Sequence, residues 1–150
     1  MGTEIGRLAV RRSTFINAAP ARIWQEFASF ESFRAWFGTG HSVDRFEPFS
    51  GGEIRLSVTI DGERRGFGGL VVVFDESGEM TFESNWDPPH AYPLPTFITI
   101  RLTALYGGTH VELFHHGFER LGAEAGELLE GYEAGWDSHH LEALRATVEA

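Results

Sequence analysis

Histidine is the residue type in this sequence with the widest chemical range, and four of the seven histidines form two doublets, His115-His116 and His139-His140. A neutral imidazole binds metals, forms hydrogen bonds and exchanges protons near neutral pH. Zinc, however, needs three or four converging ligands. Neighbouring strand residues point to opposite faces and neighbouring helix residues diverge by about 100°. Each doublet therefore supplies at most one ligand to a common site, and we predict neither a metal nor a cofactor.

His140 falls within an apolar stripe of a helix that the pattern predicts over about residues 123–148. Helical spacing places on one face Leu129, Tyr132, Trp136, His140, Ala143 and Thr147. His115 is similar, because it alternates with Val111 and Leu113 on the inward side of the last predicted strand. Each histidine is either a core group bonded within the protein or a polar group at the floor of a ligand cavity.

Other catalytic patterns are weak in this chain. It has no cysteine and no Gly-x-Ser-x-Gly motif, and the glycine run at 66–69 enters a strand rather than a helix. The glutamates of the predicted strands, Glu53, Glu83 and Glu112, have outward parity, so we predict no general acid/base dyad and no catalytic residue. Asp87, His90 and Tyr92 lie in a proline-rich loop from which they could reach a bound molecule.

The elements that would position these residues follow the order β-α-α-β-β-β-β-β-β-α. Pro20 opens the first short helix, and a second spans about Phe30 to Trp36. Strands are predicted at Leu8–Ile16, Val43–Phe46, Glu53–Ile60, Phe67–Phe74, Met80–Trp86 and Thr96–Ala104. A last strand includes Val111 and the His115-His116 doublet. Hairpin signals at Asp61-Gly62, Ser77-Gly78 and Gly107-Gly108 predict an antiparallel sheet. The terminal helix then covers its apolar face.

Four glycines, Gly122, Gly126, Gly131 and Gly135, interrupt this helix or precede it. Glycine inside a helix costs roughly 0.5–1 kcal/mol relative to alanine. Two explanations remain open: close packing of the helix, or a softened first half that lets a ligand pass.

Five short motifs occur in order along the chain: Pro20/Ile23/Trp24, Trp36/Phe37/Gly38, Pro48/Gly51/Gly52, Gly108/Thr109/Val111 and Gly135/Trp136/Leu141. Together they resemble the activator of heat-shock protein 90 ATPase homologue family, of the single-domain bacterial type, within the START-like (SRPBCC) superfamily. The resemblance runs from about residue 8 to residue 147. One departure is Ser84, which stands where the family often has an aromatic residue; this change enlarges the cavity or shifts the register.

The resemblance implies an α+β helix-grip fold. A curved antiparallel sheet of six to seven strands would wrap around a long C-terminal helix, with two short helices after the first strand. We expect one START-like domain over residues 1–150, with its core at about 8–148.

Composition narrows the class of partner. A net charge of −10 argues against nucleic acid as a partner. The chain shows neither an apolar signal region nor a run of 18 apolar residues, so we expect a cytoplasmic protein without a membrane span. A homodimer stays open, and a chaperone partner is implied only through the family resemblance.

The leading hypothesis is a non-enzymatic domain that binds a small hydrophobic or amphipathic molecule between the sheet and the terminal helix. His115 and His140 would be its polar anchors. The predicted wall is made of Trp136, His140, Tyr132, Leu129, His115, Leu113, Phe82, Phe74, Ile100 and Leu56. The alternatives are a polyketide cyclase or aromatase-like enzyme, with two or more inward ionisable groups, and a co-chaperone or stress-response interaction module, with a filled cavity and an exposed apolar patch.

Overall fold

The computed structural model describes residues 8–136 and 138–150. Its strands are β1 (Ala9–Ile16), β2 (Ser42–Phe46), β3 (Glu53–Ile60), β4 (Glu63–Asp75), β5 (Glu79–Trp86), β6 (Thr96–Leu105) and β7 (Gly108–His116). Its α-helices are α1 (Pro20–Trp24), α2 (Phe30–Phe37), α3 (Ala125–Gly135) and α4 (His139–Glu149), and 3₁₀ turns cover Gln25–Phe27 and Phe118–Glu124. The predicted element order is confirmed through β7, and the single predicted terminal helix is divided into α3 and α4.

The strands form one seven-stranded antiparallel sheet in the order β1-β7-β6-β5-β4-β3-β2. Consecutive strands from β2 to β7 are neighbours, and β1 closes the far edge by pairing with β7. This arrangement, with the helices packed on one face, confirms the predicted helix-grip fold class.

Turn chemistry explains where two strands begin. Asp61 and Gly62 both have positive φ, 51° and 77°, as a two-residue hairpin turn of this hand requires. Pairing therefore starts at once, with Ile60 opposite Glu63, and β4 is longer than the predicted Phe67–Phe74. In the last hairpin the turn residues are Tyr106 and Gly107 rather than the predicted Gly107-Gly108.

An aromatic cluster fills the end of the core under the two short helices. Phe27, Phe33 and Trp36 are fully buried there, with ring centroids 5.2–6.2 Å apart. Phe74 joins this cluster, 4.9 Å from Trp24. Phe74, which was predicted for the cavity wall, therefore packs against α1 and is not among the residues that line the cavity.

The C-terminal helical region departs from the single helix predicted over 123–148. Trp136 has an extended backbone, with φ −79° and ψ 135°, and separates α3 from α4. Gly135, a poor helix former, directly precedes it. The backbone N–H of Trp136 still donates to the Tyr132 carbonyl at 2.8 Å, but its carbonyl accepts from Arg12 on β1 and its indole N–H donates to His115 on β7. Tertiary bonding thus outweighs helix continuation at this residue.

Candidate functional site

A cavity of about 350 Å³ lies between the concave face of the sheet and the junction of α3 with α4. Strands β3 to β7, the end of α2 with the loop after it, and both terminal helices contribute to its wall. The lining residues are Phe37, Thr39, Gly40, His41, Leu56, Val58, Ile60, Phe67, Ser84, Asn85, Trp86, Ile98, His115, Tyr132, Trp136, His139 and His140. Aromatic and aliphatic side chains dominate this wall.

The structure brings together half of the residues predicted for the wall: Leu56, His115, Tyr132, Trp136 and His140. Phe82, Ile100 and Leu113 share the inward parity but are fully buried in the core beneath the cavity. Leu129 is half-buried on α3, one turn before Tyr132, and does not line the cavity.

His115 holds Trp136 through a hydrogen-bond chain whose direction is fixed by chemistry. The indole Nε1–H of Trp136 can only donate, so Nδ1 of His115 accepts at 2.9 Å. His115 is therefore the Nε2–H tautomer, and it donates to Oγ1 of Thr96 at 2.8 Å. The Thr96 hydroxyl in turn donates to the carbonyl of Ser84 at 3.1 Å. Both His115 nitrogens are used within the protein.

Burial lowers the pKa of His115 to about 3, and the neighbouring His116 acts in the same direction. A protonated imidazole would also direct a second N–H at the indole N–H of Trp136. His115 is therefore neutral at pH 7, and in this chain of bonds it positions the Trp136 ring.

Arg12 on β1 forms hydrogen bonds to the backbone where α3 ends. Its Nη2 donates to the carbonyl of Glu133 at 3.0 Å and to that of Trp136 at 2.9 Å. Its Nη1 pairs with the Glu133 carboxylate at 3.2 Å. The last carbonyls of a helix have no hydrogen-bond donor within the helix. Here the Arg12 guanidinium donates to two carbonyls at the C-terminal end of α3.

Tyr132 connects α3 to the loop between β5 and β6. Its hydroxyl accepts from the indole N–H of Trp86 at 3.1 Å and shares a hydrogen bond with the hydroxyl of Tyr92 at 3.2 Å. Asn85 fixes this loop by pairing its amide with the backbone of Tyr92. Burial raises the pKa of Tyr132, and the bond to Tyr92 adds to the effect. Asp87 and His90 do not line the cavity but pair with Arg55 and Glu63.

His140 and His139 attach α4 to the loop that follows α2. Nδ1 of His140 shares a hydrogen bond with Oγ1 of Thr39 at 3.0 Å, and its ring stacks on Phe37 with centroids 4.9 Å apart. Nε2–H of His139 donates to the Thr39 carbonyl at 2.8 Å. His140 is buried and His139 is at the rim. Both therefore join elements as well as line the cavity.

His41 is a polar wall residue that the sequence pattern does not indicate. Its Nε2 is buried and has no hydrogen-bond partner among the described residues. Its ring lies 4.9 Å from His140, 5.2 Å from Phe37 and 5.8 Å from Phe67, centroid to centroid. Burial lowers the pKa of His41 to about 4, with a smaller contribution from His139. It follows a glycine outside any periodic segment, so no pattern could have identified it.

Other missed residues carried a partial signal. Val58 and Ile60 alternate with Leu56 on the inward face of β3, as predicted, and they extend the wall beyond it. Ser84 lines the cavity at the position where the family often has an aromatic residue. Its small side chain leaves space there, and Trp86 two residues later also lines the wall.

Among residues 8–136 and 138–150, there is no group of three or more His, Asp or Glu side chains that could hold a metal ion. Within the same residues, no helix is both long and apolar enough to cross a membrane.

Comparison with known proteins gives a consistent result for the family and the fold. The family described as Activator of Hsp90 ATPase homolog 1-like protein matches residues 17–149. A crystal structure of a protein from Chromobacterium violaceum has a TM-score of 0.71 at 18% identity, covering 97% of this chain and 99% of that one. The Aha1 dimer from Colwellia psychrerythraea has a TM-score of 0.64 at 16% identity, covering 94% and 96%.

A third solved structure is DynU16, from the dynemicin biosynthetic locus, with a TM-score of 0.65 at 16% identity. The match covers 97% of this chain but only 48% of DynU16. Comparison with curated proteins gives no match. At sequence identities of 16–18%, the similarity to these structures is evidence for the fold alone.

Proposed function

The chain belongs to the family of Activator of Hsp90 ATPase homolog 1-like proteins, and from that premise we propose that it binds a small hydrophobic or amphipathic molecule in the cavity between the sheet and the α3–α4 junction. The observation that carries the proposal is a partly open cavity of about 350 Å³ with an aromatic and aliphatic wall. Small-molecule sites are typically concave, mostly apolar and equipped with a few polar groups.

The polar groups of the wall support this proposal, because most of them are already satisfied within the protein. His115 bonds Trp136 and Thr96, and the Trp86 indole bonds Tyr132. Such groups present ring faces to a ligand rather than open hydrogen-bonding positions. The free energy of binding would then come mainly from apolar area removed from water, about 25 cal/mol per Å².

Titration with N-phenyl-1-naphthylamine, a neutral apolar fluorophore, tests the proposal. We expect saturable binding of one molecule per chain with energy transfer from Trp86 and Trp136, which both line the cavity. Val58→Phe places a larger side chain in the wall and should weaken binding at least tenfold. Val72→Phe is the matched control, since Val72 is an exposed valine of the adjacent strand. Equal weakening by both variants, or no saturation in the folded wild type, would contradict the proposal.

The natural ligand is best sought by native mass spectrometry of protein purified from its own host. A co-purified species that is displaced by N-phenyl-1-naphthylamine would identify the occupant of the cavity. A species that survives displacement occupies another place.

A second candidate, a cyclase-like enzyme, is favoured by the number of ionisable groups in the wall. Four histidines, at 41, 115, 139 and 140, and Tyr132 line the cavity. The measurement is the mass and proton NMR spectrum of the co-purified ligand before and after incubation with fresh protein. An unchanged ligand supports the binding function, and a changed one supports the enzyme.

A further inference from the structure

One wall atom of the cavity differs from the others in its bonding. Among the described residues, His41 Nε2 is the buried side-chain nitrogen or oxygen without a hydrogen-bond partner. A buried polar atom without a partner has lost its hydrogen bonds to water without compensation, which destabilises the folded state. A protein that keeps such an atom in the wall of a cavity has a position at which a ligand atom can complete the bond.

His41 also lies where the apolar cavity meets a polar groove. The groove is lined by Gly40, His41, Ser42, Ser57, Val58, Thr59 and Arg64, and it shares Gly40, His41 and Val58 with the cavity. A molecule with its apolar body in the cavity can therefore direct a polar end past His41 toward hydroxyl-bearing side chains and solvent.

The electrostatics of this junction favour a neutral polar end. Arg64 pairs with Asp44 at 3.0 Å, so the groove carries no unbalanced positive charge from this residue. Because the pKa of His41 is lowered to about 4, its ring is uncharged at pH 7. A buried carboxylate beside a neutral imidazole would lack a counter-charge, and its desolvation is costly. A hydroxyl group needs only a hydrogen-bond partner.

We propose that the ligand is a neutral alcohol or phenol on an aromatic or alicyclic body, with its hydroxyl bonded to Nε2 of His41 at the junction of cavity and groove. This inference rests on the proposed binding function. The body is assigned from the aromatic wall, in which Phe37, Phe67 and Trp86 face the same space as Trp136.

Three probes with one body separate the contributions: naphthalene, 2-naphthol and 2-naphthoate, measured at pH 7 by displacement of N-phenyl-1-naphthylamine. We expect 2-naphthol to bind roughly tenfold more tightly than naphthalene, the value of one bond that satisfies a buried polar atom. 2-Naphthoate should bind more weakly than 2-naphthol. An equal or higher affinity for 2-naphthoate would overturn the assignment to a neutral hydroxyl.

The variant His41→Leu should remove the preference for 2-naphthol over naphthalene, measured as the ratio of the two affinities in the same protein. Its thermal stability should equal or exceed that of wild type, since it eliminates an unsatisfied polar atom. His41→Gln, which retains a hydrogen-bonding side chain, should restore part of the preference. His110→Leu is the matched control, because His110 lies on β7 outside the cavity wall.

The outcomes distinguish this inference from the function on which it rests. If naphthalene and N-phenyl-1-naphthylamine bind but the preference for 2-naphthol is absent or survives in His41→Leu, the role of His41 is overturned and the cavity remains a binding site. If none of the probes binds to folded protein, the binding function itself is overturned.

Discussion

At the scale of single residues, the bond between Trp136 and His115 decides how the cavity wall is held. The indole N–H and the imidazole Nδ1 are 2.9 Å apart, and each is the other's partner at that atom. His115 is almost completely buried, so water cannot replace a lost donor there. The bond should therefore contribute to stability beyond the apolar area of the tryptophan.

Trp136→Phe tests this bond, because it keeps an aromatic ring and removes the N–H. We expect a loss of about 1–3 kcal/mol, the cost of leaving a buried acceptor without a donor, measured by urea denaturation. Trp86→Phe is the matched control, since the Tyr132 hydroxyl keeps Tyr92 as a partner. Equal losses of unfolding free energy in the two variants would show that the bond to His115 stabilises the protein no more than the bond to Tyr132. Trp136→Ala should cost about 3–5 kcal/mol.

Residue parity was largely predictable from the sequence, whereas bonding was not. The alternation in β3 correctly gave Leu56, Val58 and Ile60 an inward direction, but it could not tell wall from core, so Phe82 and Ile100 were assigned to the wall. That distinction depends on sheet curvature and on where the helices end. His41 was beyond prediction, because its importance comes from an unpaired atom.

At the scale of elements, α3 is held to the rest of the protein by few buried contacts. Its buried residue among those described is Ala125, whereas α4 buries His140, Leu141 and Leu144. Burial of apolar side chains supplies most of the free energy that fixes a helix. The polar bonds of Arg12 and Tyr132 are thus a large part of what keeps α3 over the cavity.

Arg12→Met keeps an apolar stem of similar length but removes the bonds to the carbonyls of Glu133 and Trp136. We expect faster amide hydrogen exchange in α3 with little change in α4, because the buried leucines of α4 are untouched. Arg11→Met is the control from the same strand, since the guanidinium of Arg11 lies over Phe114 on the other face. Uniform acceleration in both helices would contradict a local role.

Two glycines of α3, Gly126 and Gly131, also affect the stability of this helix. A Cβ added at Gly126 or Gly131 would meet nothing within 4 Å, so close packing does not explain either residue. We therefore expect Gly126→Ala and Gly131→Ala each to stabilise the protein by roughly 0.5–1 kcal/mol through helix propensity.

Stopped-flow association of N-phenyl-1-naphthylamine then separates stability from ligand passage in these alanine variants. If the softness of α3 admits ligands, the double variant should bind the probe more slowly at unchanged affinity. Unchanged rates would leave the glycines without a role in passage. Glu130→Ala, an exposed change on the same helix, serves as the control.

At the scale of the whole molecule, the fold was predictable because its signals are local and repeated. Hairpin turns such as Asp61-Gly62 predict which strands are neighbours, whereas no local signal predicts the pairing of β1 with β7. The break at Trp136 was not predictable, since the partners that stabilise it, Arg12 and His115, are more than 20 residues away in sequence.

The whole molecule should also lose stability in mild acid because several buried histidines are neutral in the folded state. Burial lowers the pKa of His115 to about 3 and that of His41 to about 4, and it lowers the pKa of His116 as well. His116 is nearly covered on the opposite face of β7, where its Nε2 shares a hydrogen bond of 2.8 Å with Thr99.

The sign of this pH effect follows from proton uptake. In the unfolded chain His41 and His115 bind a proton near pH 6.5, and in the folded chain they do so only at about pH 4 and about pH 3. The unfolded state therefore holds more protons between these values, and the free energy of unfolding falls as the pH is lowered. The stabilising contribution of these neutral histidines is fully present above about pH 6.5.

His115 alone should account for a loss of about 2 kcal/mol between about pH 7 and about pH 5. Urea denaturation at half-unit steps over this range gives the proton uptake from the slope. Carboxylates titrate mainly below this window, so the slope reports histidines. Replacing His115 with Gln removes its own proton from the balance, and the variant should be less stable at pH 7 but show a shallower slope. A free energy of unfolding that stays constant from pH 7 to pH 5 in wild type would contradict the neutral, buried state of His115.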